Sequence, residues 1–313
     1  MKEENLSISN FKIFFKKIIL PFLLIFTLLG AMVNYFFQKK VVLGSEISGA
    51  YKVNRIINET NQNEIPFLGS SRAEGTFIPD SLVKLGFNYG MVGTQDNVWL
   101  FFLNEECKKN KTGPIVINFD LDGLDYSIGD ISNYLYNINY APVKKLMGEK
   151  YKAQYEVPFF KYYGYFEIYT KYYLNGKTNF TKYTNKGASV EKDELPIQQF
   201  NELIEQRLNE KTVFKNEPAL LDELMDLIHD NPKRKLIFVV NPYHASYFNA
   251  FVNYNDAIKF LSFLEANNNV TVLNFAKFNL PNDCYINTTH LNAKGALQFN
   301  RILKDSLTKY MNV

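Results

Sequence analysis

The sequence predicts an α/β protein with three layers, in which helices cover both faces of a parallel five-stranded sheet. After residue 40, short apolar runs alternate with amphipathic stretches, a pattern typical of parallel strands that are buried on both faces. The end of the chain adds the clearest helical pattern. The predicted strands are Ile65–Leu68, Gly86–Tyr89, Ile115–Phe119, Leu236–Val240 and Val270–Leu273.

The final stretch of the chain predicts an amphipathic helix. Its apolar residues recur at steps of three and four positions, which places them on one helical face. Asn292 precedes the pattern and belongs to the residue types preferred at a helix N-cap. The apolar residues of this face are Ala296, Phe299, Leu303, Leu307 and Tyr310.

An apolar segment near the N-terminus predicts a membrane helix. Residues 18–37 contain no charged side chain, and lysines flank them on both sides. At a rise of about 1.5 Å per residue, roughly 20 residues span the ~30 Å hydrocarbon core of a bilayer. A cleaved signal peptide is the alternative interpretation, with Gly30 and Ala31 at the cut, but the apolar run continues past them.

We therefore expect residues 1–40 to form a cytoplasmic tail and a single transmembrane anchor in the cell membrane. Residues 41–313 would form the α/β domain on the extracytoplasmic side. Lysines and arginines are nearly balanced across the apolar segment, so the orientation rests on the short tail and the large following domain, as in a signal anchor.

The composition indicates a folded body behind the anchor. Of the 313 residues, 46% are hydrophobic and 21% are charged, and the net charge of +3 is spread along the chain, which argues against nucleic acid as a partner. About 270 residues after the anchor are enough for one large α/β domain with an insertion or for two small domains. Cys107 and Cys284 are too few for a disulfide scaffold and lack metal spacing, so we expect free thiols, no metal and no cofactor.

Between residue 124 and about residue 196 the alternating pattern stops, and 13 of the 21 tyrosines fall there. We expect a mostly helical, aromatic-rich insertion after the third strand, over the carboxyl end of the sheet. Two interpretations of the tyrosines stay open. They stack on sugar rings above a site, or they form the core of the insertion or rest on the membrane interface.

Polar or glycine-rich loops follow four of the predicted strands, at the edge where open α/β sheets bind ligands. A serine hydroxyl becomes a useful nucleophile when an imidazole takes its proton, so Ser71 after the first strand and His290 before the last helix outline an esterase-like site. The glycines beside them either present backbone amides to an oxyanion or form ordinary turns with positive φ. The candidate oxyanion and substrate-binding residues are Arg72, Gly90, Gly93, Asp120 and His244.

These motifs resemble those of the SGNH, or GDSL-like, hydrolases, whose fold is flavodoxin-like. Within them they resemble a membrane-anchored group that includes the D-alanyl-transfer protein of lipoteichoic acid biosynthesis and partners of polysaccharide O-acetylation. The likeness covers residues 62–123 and 234–310. The family motif G-D-S or G-S-S implies Ser71 as the nucleophile, and a glycine of its second motif falls on Gly90 or Gly93. The family motif D-x-x-H, followed by L-N and a glycine, implies His290 as the base.

Two positions depart from the family pattern. The acid position of the last motif holds Asn287, whose amide can orient an imidazole but gives no charge stabilisation to an imidazolium. The family's G-x-N-D motif is replaced by the sequence D-L-D-G at residues 120–123. Either Asp283, Asp120 or Asp122 compensates in space, or the site is slow or degenerate.

The resemblance leaves two classes of function. The first is a membrane-anchored serine esterase or O-acyltransferase that modifies a cell-envelope polysaccharide through an acyl-Ser71 intermediate. The second is a catalytically degenerate accessory protein that binds a glycan or a membrane-bound partner. The partners implied are a cell-surface polysaccharide or teichoic-acid-like acceptor and a multi-pass membrane O-acyltransferase.

Overall fold

The structure is a computed structural model that describes residues 10–37, 39, 43, 49–94, 96–125, 141–148, 166–175, 186–190 and 195–311. Its central sheet has five parallel strands in the order β2-β1-β3-β6-β7. A separate parallel pair joins β4 to β5. The strands are β1 Ile65–Leu68, β2 Gly86–Asn88, β3 Ile115–Asn118, β4 Gly123–Leu124, β5 Lys215–Asn216, β6 Leu236–Val240 and β7 Val270–Asn274.

Helices precede and follow the strands along the chain. The N-terminal helix contains a π-helical turn at Phe15–Ile19, and a short 3-10 turn lies at Asn282–Cys284. The α-helices are α1 Leu20–Phe36, α2 Ala50–Asn58, α3 Ser71–Thr76, α4 Pro79–Leu82, α5 Asp96–Cys107, α6 Ala141–Met147, α7 Phe166–Leu174, α8 Ile197–Leu208, α9 Pro218–Asp230, α10 Ala245–Asn249, α11 Tyr254–Glu265 and α12 Ala293–Thr308.

The sheet separates two hydrophobic cores. Successive strand side chains point to opposite faces, and β6 shows the consequence. Leu236, Phe238 and Val240 pack with α2, α5, α9 and α11 on one face. Ile237 and Val239 pack with α3, α4, α8 and α12 on the other. The predicted three-layer α/β/α arrangement with its parallel five-stranded sheet is therefore confirmed.

The predicted strand positions agree with the observed ones to within a residue at their ends. β2 ends at Asn88 and β3 at Asn118, each one residue before the predicted end, and β7 continues to Asn274. The last helix begins as predicted, because the Asn292 side chain accepts a hydrogen bond from the Gly295 amide at 3.0 Å. The β4–β5 pair was not predicted, since each strand is only two residues long.

The predicted insertion at residues 124–196 falls mostly outside the described residues. Helices α6 and α7 lie in its described parts. The remainder holds most of the tyrosines, and its mostly helical character stays a prediction, as does either role proposed for those aromatic rings.

The N-terminal helix is long and apolar enough to cross a membrane once. It runs over Asn10–Phe36, a length of 27 residues, and it is the one such helix in the part of the chain that the structure describes. Phe37, which follows it, is buried in the core on the α2 side of the sheet. The ring of Phe36 also contacts the ring of Tyr173 in α7, at 5.6 Å between centroids.

Candidate active site

The predicted site forms at the carboxyl ends of the central strands. A cavity of about 480 Å³ opens there, next to the loops that follow β1, β2 and β3. Parallel strands place all of these loops on one edge of the sheet. Of the predicted site residues, the cavity is lined by Ser71, Arg72, Gly93 and Asp120.

Gly69 allows the chain to turn directly from β1 into α3. Its φ of 138° lies in the region that favours glycine, and a Cβ atom there would lie 2.8 Å from the Cβ atoms of Ala73 and Asn118. The turn therefore lets β1 and β3 approach the start of α3 closely. Ser71 is the first residue of that helix.

The two neighbouring serines have different partners. Ser70 Oγ donates to Asp120 Oδ2 at 2.7 Å and caps α3 by accepting from the Arg72 amide at 3.3 Å. Ser71 Oγ lies 2.9 Å from His290 Nε2. The structure thus brings Ser71 and His290 together, and the side chain of Ser70 is held by a cap and a carboxylate.

The carbonyl oxygen of Asn287 organises the histidine loop. Asn287 Oδ1 accepts from the Thr289 and His290 amides, both at 2.9 Å, and these donors identify the atom as oxygen because an NH₂ group cannot accept. The same oxygen lies 3.1 Å from His290 Nδ1. Asn287 therefore occupies the orienting position that the sequence assigned to it.

Thr289 is a further contact of the imidazole that the sequence analysis missed. Its hydroxyl donates to Asn287 Oδ1 at 3.0 Å and lies 2.9 Å from His290 Nδ1. Two oxygens therefore face Nδ1, and they stabilise the tautomer that carries its proton there. That tautomer leaves the Nε2 lone pair to accept the Ser71 proton. No sequence motif indicates this role, because it depends on how the loop folds around the imidazole.

None of the three aspartates considered as substitutes for the missing acid is hydrogen-bonded to His290. Asp283 pairs with Lys294. Asp120 and Asp122 pair with Arg72 at 2.8 and 3.1 Å. Within the described residues, only amide and hydroxyl oxygens contact Nδ1, so the imidazole is oriented without a directly bonded carboxylate.

The surroundings of His290 favour its neutral form. Burial lowers the pKa of the imidazole, and the positive charge of Arg72 lowers it further, while Asp122 opposes both; the result is a pKa of about 4. His290 is therefore neutral near pH 7 and available as a base. The same surroundings disfavour the imidazolium that forms when it takes a proton.

Arg72 is a buried cation that holds the loops around Ser71. Its Nε donates to Asp120, Nη2 to Asp122, and Nη1 to the Tyr243 hydroxyl at 2.8 Å. Burial lowers its pKa, but Asp120, Tyr243 and Asp122 raise it well above the ordinary value. Because these contacts occupy the guanidinium, Arg72 fixes the loops after β1, β3 and β6. Tyr243 was not among the predicted site residues.

The two predicted glycines have different surroundings. Gly93 borders the cavity with a φ of 68° and open space where a Cβ atom would lie. Gly90 instead packs against α3, where a Cβ atom would lie 2.5 Å from the Glu74 amide nitrogen. The Gly90 amide already donates to Asn88 Oδ1 at 2.8 Å, so the structure gives it a packing role in place of the expected oxyanion contact.

Ser71 and Gly93 both line the cavity, and their amides have no hydrogen-bond acceptor among the described residues. Ser71 is at the first position of α3, where a helix has no internal acceptor for its amides. Neither the Ser71 amide nor the Gly93 amide donates a hydrogen bond to any described residue in the ranges 49–94 and 96–311. These two groups are the candidate donors to an oxyanion.

His244 lies away from the cavity lining and supports the histidine loop. Its ring contacts Ser246 Oγ at 2.8 Å and Asn282 Oδ1 at 3.2 Å. Its amide donates to the Thr288 carbonyl at 3.0 Å. The expectation that His244 contacts substrate therefore has no support in these distances, which instead tie the loop after β6 to the loop that holds His290.

Asp96 is a cavity residue that the sequence analysis did not single out. Its oxygens accept from Trp99 Nε1 at 2.6 Å and from the Asp125 amide at 2.9 Å. Burial raises its pKa to about 7, with Asp120 and Asp122 contributing in the same direction. From the sequence alone, Asp96 is an ordinary acidic residue at a helix start.

Cys107 is half-buried and Cys284 is buried. Across the described segments, no three His, Cys, Asp or Glu side chains are grouped as metal ligands would be.

No family model matches this chain, and no curated protein matches it in sequence. Among solved structures, a lipase/acylhydrolase from Enterococcus faecalis is similar, with 12% identity and a TM-score of 0.39, over 80% of this chain and 97% of that one. A protein from Streptococcus pneumonia named for platelet activating factor is also similar, with 13% identity and a TM-score of 0.41, over 90% and 98%. Similarities at this level support no argument about the chemistry of this chain.

The pKa of His290 gives a prediction that needs no substrate. The chain has three histidines, so ¹H–¹⁵N spectra of the imidazoles can be assigned with a His290→Gln variant. We expect His290 to titrate with a midpoint near pH 4 because burial and Arg72 disfavour its charged form. A midpoint near the ordinary value of about 6.5 would contradict the described environment.

Proposed function

We propose that this chain is an SGNH-like serine esterase or O-acyltransferase. The single observation that supports this function best is the 2.9 Å contact between Ser71 Oγ and His290 Nε2. It places a hydroxyl nucleophile within hydrogen-bond reach of a neutral imidazole, and a third group orients that imidazole from its other nitrogen.

The first half-reaction forms an acyl-enzyme. Ser71 Oγ attacks the carbonyl carbon of an ester while His290 Nε2 takes the hydroxyl proton. The oxyanion that forms accepts hydrogen bonds from the Ser71 and Gly93 amides. As the tetrahedral intermediate collapses, the ester C–O bond breaks and His290 returns the proton to the departing alcohol, which leaves an acyl group on Ser71.

The second half-reaction determines whether the protein hydrolyses or transfers. Water or a sugar hydroxyl loses its proton to His290 and attacks the acyl-Ser71 carbonyl. Ser71 then departs and recovers its proton from His290. Both acceptors use the same residues, so the site chemistry is common to an esterase and an O-acyltransferase.

The cavity lining favours a polar substrate. Among the described residues that line it, Val213 is the one aliphatic side chain, and the others are polar, charged or glycine. Ligand sites for apolar molecules are lined predominantly by hydrophobic side chains. A hydroxyl-rich glycan therefore fits this cavity better than a lipid, which supports a cell-envelope polysaccharide or teichoic-acid-like acceptor as the substrate class.

Covalent labelling tests the nucleophile directly. We expect a fluorophosphonate probe to label the detergent-solubilised full chain at Ser71, as located by peptide mass spectrometry. Ser71→Ala should abolish labelling and shift the melting temperature by only a few degrees. Ser70→Ala is the matched control, and it should keep the label because the Ser70 hydroxyl is bonded to Asp120 instead of His290. Labelling that survives Ser71→Ala would remove this residue from the mechanism.

A second candidate function follows from Asn287. Because an amide in the acid position gives no charge to stabilise the imidazolium, a site of this kind is slow or inactive. The same fold would then serve as an accessory protein that binds a glycan or a multi-pass membrane O-acyltransferase. The Ser71–His290 contact is retained, and for that reason we place this function second.

The substitution Asn287→Asp separates the two functions. A carboxylate there can accept every hydrogen bond that Asn287 Oδ1 accepts, and its charge 3.1 Å from His290 Nδ1 would raise the imidazole pKa and stabilise the imidazolium. We expect hydrolysis of a small acetyl ester to rise by about 10-fold or more, equivalent to at least ~1.4 kcal/mol of barrier. Asn287→Ala is the control and should lower the rate, because the imidazole loses its orientation.

The enzyme function fails if wild type and Asn287→Asp are both inactive in hydrolysis and transfer while His290→Ala leaves the cellular phenotype intact. The accessory function would then replace it. If Asn287→Asp lowers an activity that the wild type has, the side-chain amide of Asn287 is itself required, and its role is to hold the loop.

We further propose that residues 1–40 anchor the protein in the cell membrane with the α/β domain outside the cytoplasm. The apolar helix and the lysines on both sides of it support this arrangement. Protease added to intact spheroplasts should digest the domain after Lys40, while an epitope tag at the N-terminus stays protected and the protein sediments with membranes. A soluble, shortened mature chain would indicate a cleaved signal peptide, and a protected domain would indicate the opposite orientation.

A further inference from the structure

Lys52 of α2 is a buried lysine that contacts two of the segments that carry the candidate site. Only 1% of its side chain is exposed, and its Nζ donates to Glu74 Oε1 at 2.8 Å and to the Gly90 carbonyl oxygen. Gly90 lies in the loop after β2, and Glu74 lies in α3, three residues after Ser71. One ammonium group therefore contacts both the nucleophile helix and the glycine loop.

Glu74 completes this connection with its second oxygen. Glu74 Oε2 accepts from the Val92 amide at 2.7 Å, in the turn that leads to Gly93. The backbone of Gly90 also lies so close to α3 that a Cβ atom would meet Ala73 Cβ at 2.7 Å. The Lys52–Glu74 pair thus holds residues 90–92 against the helix that begins with Ser71.

Stability alone does not account for a charge pair in this place. Removing two charged groups from water costs free energy that their attraction often fails to recover, and well-packed apolar residues of similar size commonly serve equally well. What the ion pair adds is directional hydrogen bonding. Lys52 donates to the Gly90 carbonyl and Glu74 accepts from the Val92 amide, so the pair fixes one arrangement of these two backbone groups. An apolar pair would leave both backbone groups without these partners.

We propose that Lys52 is a positioning residue for the acyl-transfer reaction, acting through Glu74 and the loop at residues 90–93. The inference rests on the proposed function, because it assigns to this loop the task of presenting the Gly93 amide to the oxyanion while Ser71 attacks. A displacement of about 1 Å in such a group lowers a rate by about 100-fold. Lys52 is not among the residues that line the cavity, so we expect it to affect the two acyl-transfer steps, each of which forms an oxyanion, and not substrate binding.

Helix α2, which carries Lys52, packs into a hydrophobic core that also contains the residue after the N-terminal apolar helix. Tyr51 and Val53, on either side of Lys52, are buried in the same core as Phe37, which directly follows the N-terminal helix. The geometry of the glycine loop thus depends on the first helix of the domain after the anchor.

Variants of the full chain in detergent test the proposal. The test variants are Lys52→Met and Glu74→Gln, with Lys52→Arg as the conservative replacement. The matched control is Arg55→Met, which removes another ion-paired cation from the same helix. Arg55 pairs with Glu59 and Glu64 near the opposite edge of the sheet, away from the cavity. Burst titration with an active-site ester counts competent sites, so that kcat is expressed per acylating Ser71.

The kinetic prediction distinguishes positioning from simple loss of structure. Lys52→Met and Glu74→Gln should lower kcat per titrated site by about 10-fold or more with KM changed less than about two-fold. Lys52→Arg should recover part of the rate, and Arg55→Met should keep the wild-type kcat whatever its melting temperature. Unchanged kcat per site in both test variants would overturn the proposal, and Glu74→Gln decides it if Lys52→Met does not fold.

Hydrogen exchange separates this proposal from the proposed function. We expect deuterium uptake in peptides covering residues 89–94 to increase in Lys52→Met and Glu74→Gln but not in Arg55→Met, because the Val92 amide loses its fixed acceptor. This readout needs no substrate. If wild type is not labelled at Ser71, the proposed function fails while this result still supports the positioning of the loop. Uptake equal to wild type in both test variants would overturn the positioning role even in an active enzyme.

Discussion

The hydrogen bond between Ser71 and His290 joins two residues that are 219 positions apart in the chain, and the parallel sheet is what brings them together. β1 lies beside β3, and β3 lies beside β6, so the loops that follow all three strands meet at one edge. Ser71 leaves that edge in α3, and the loop before α12 returns to it with His290. The burial of the imidazole and the effect of the Arg72 charge on its pKa both depend on the convergence of these loops.

The electrostatics of the site are unusual because the imidazole is oriented by neutral oxygens. Asn287 and Thr289 fix the tautomer, and burial next to Arg72 lowers the pKa of His290 to about 4. The imidazole is thereby neutral at every pH above that value, but the cationic form that the proposed reaction requires is poorly stabilised. Orientation and charge stabilisation, which a carboxylate usually provides together, are separated here. The negative charge of Asp122 supplies part of the charge stabilisation of His290, although Asp122 is not hydrogen-bonded to the imidazole.

The sequence predicts those features that short segments determine by themselves. The strands are continuous apolar runs, and Ser71 and His290 stand in local motifs, so short stretches of sequence indicate both the strands and these two residues. The strand order depends on which edges pair across distant parts of the chain, and no local pattern shows it. The same reason explains the single residues whose surroundings the sequence did not indicate. The Gly90 amide is directed by Asn88 and the packing of α3, and the roles of Thr289 and Asp96 exist only once other segments surround them.

The position of Ser71, the proposed nucleophile, depends on charge pairs more than on its own helix. α3 has six residues, too few to be stable in isolation, so neighbouring contacts must hold it in place. Arg72 ties it to the loop after β3, and Glu74 with Lys52 ties it to the loop after β2. Each of these cations is buried, and a buried charge is tolerated only while its partners remain. Loss of one partner would leave the other charge uncompensated a few residues from Ser71. The geometry of the site is therefore more sensitive to single charge changes in these pairs than to equally large apolar changes in either hydrophobic core.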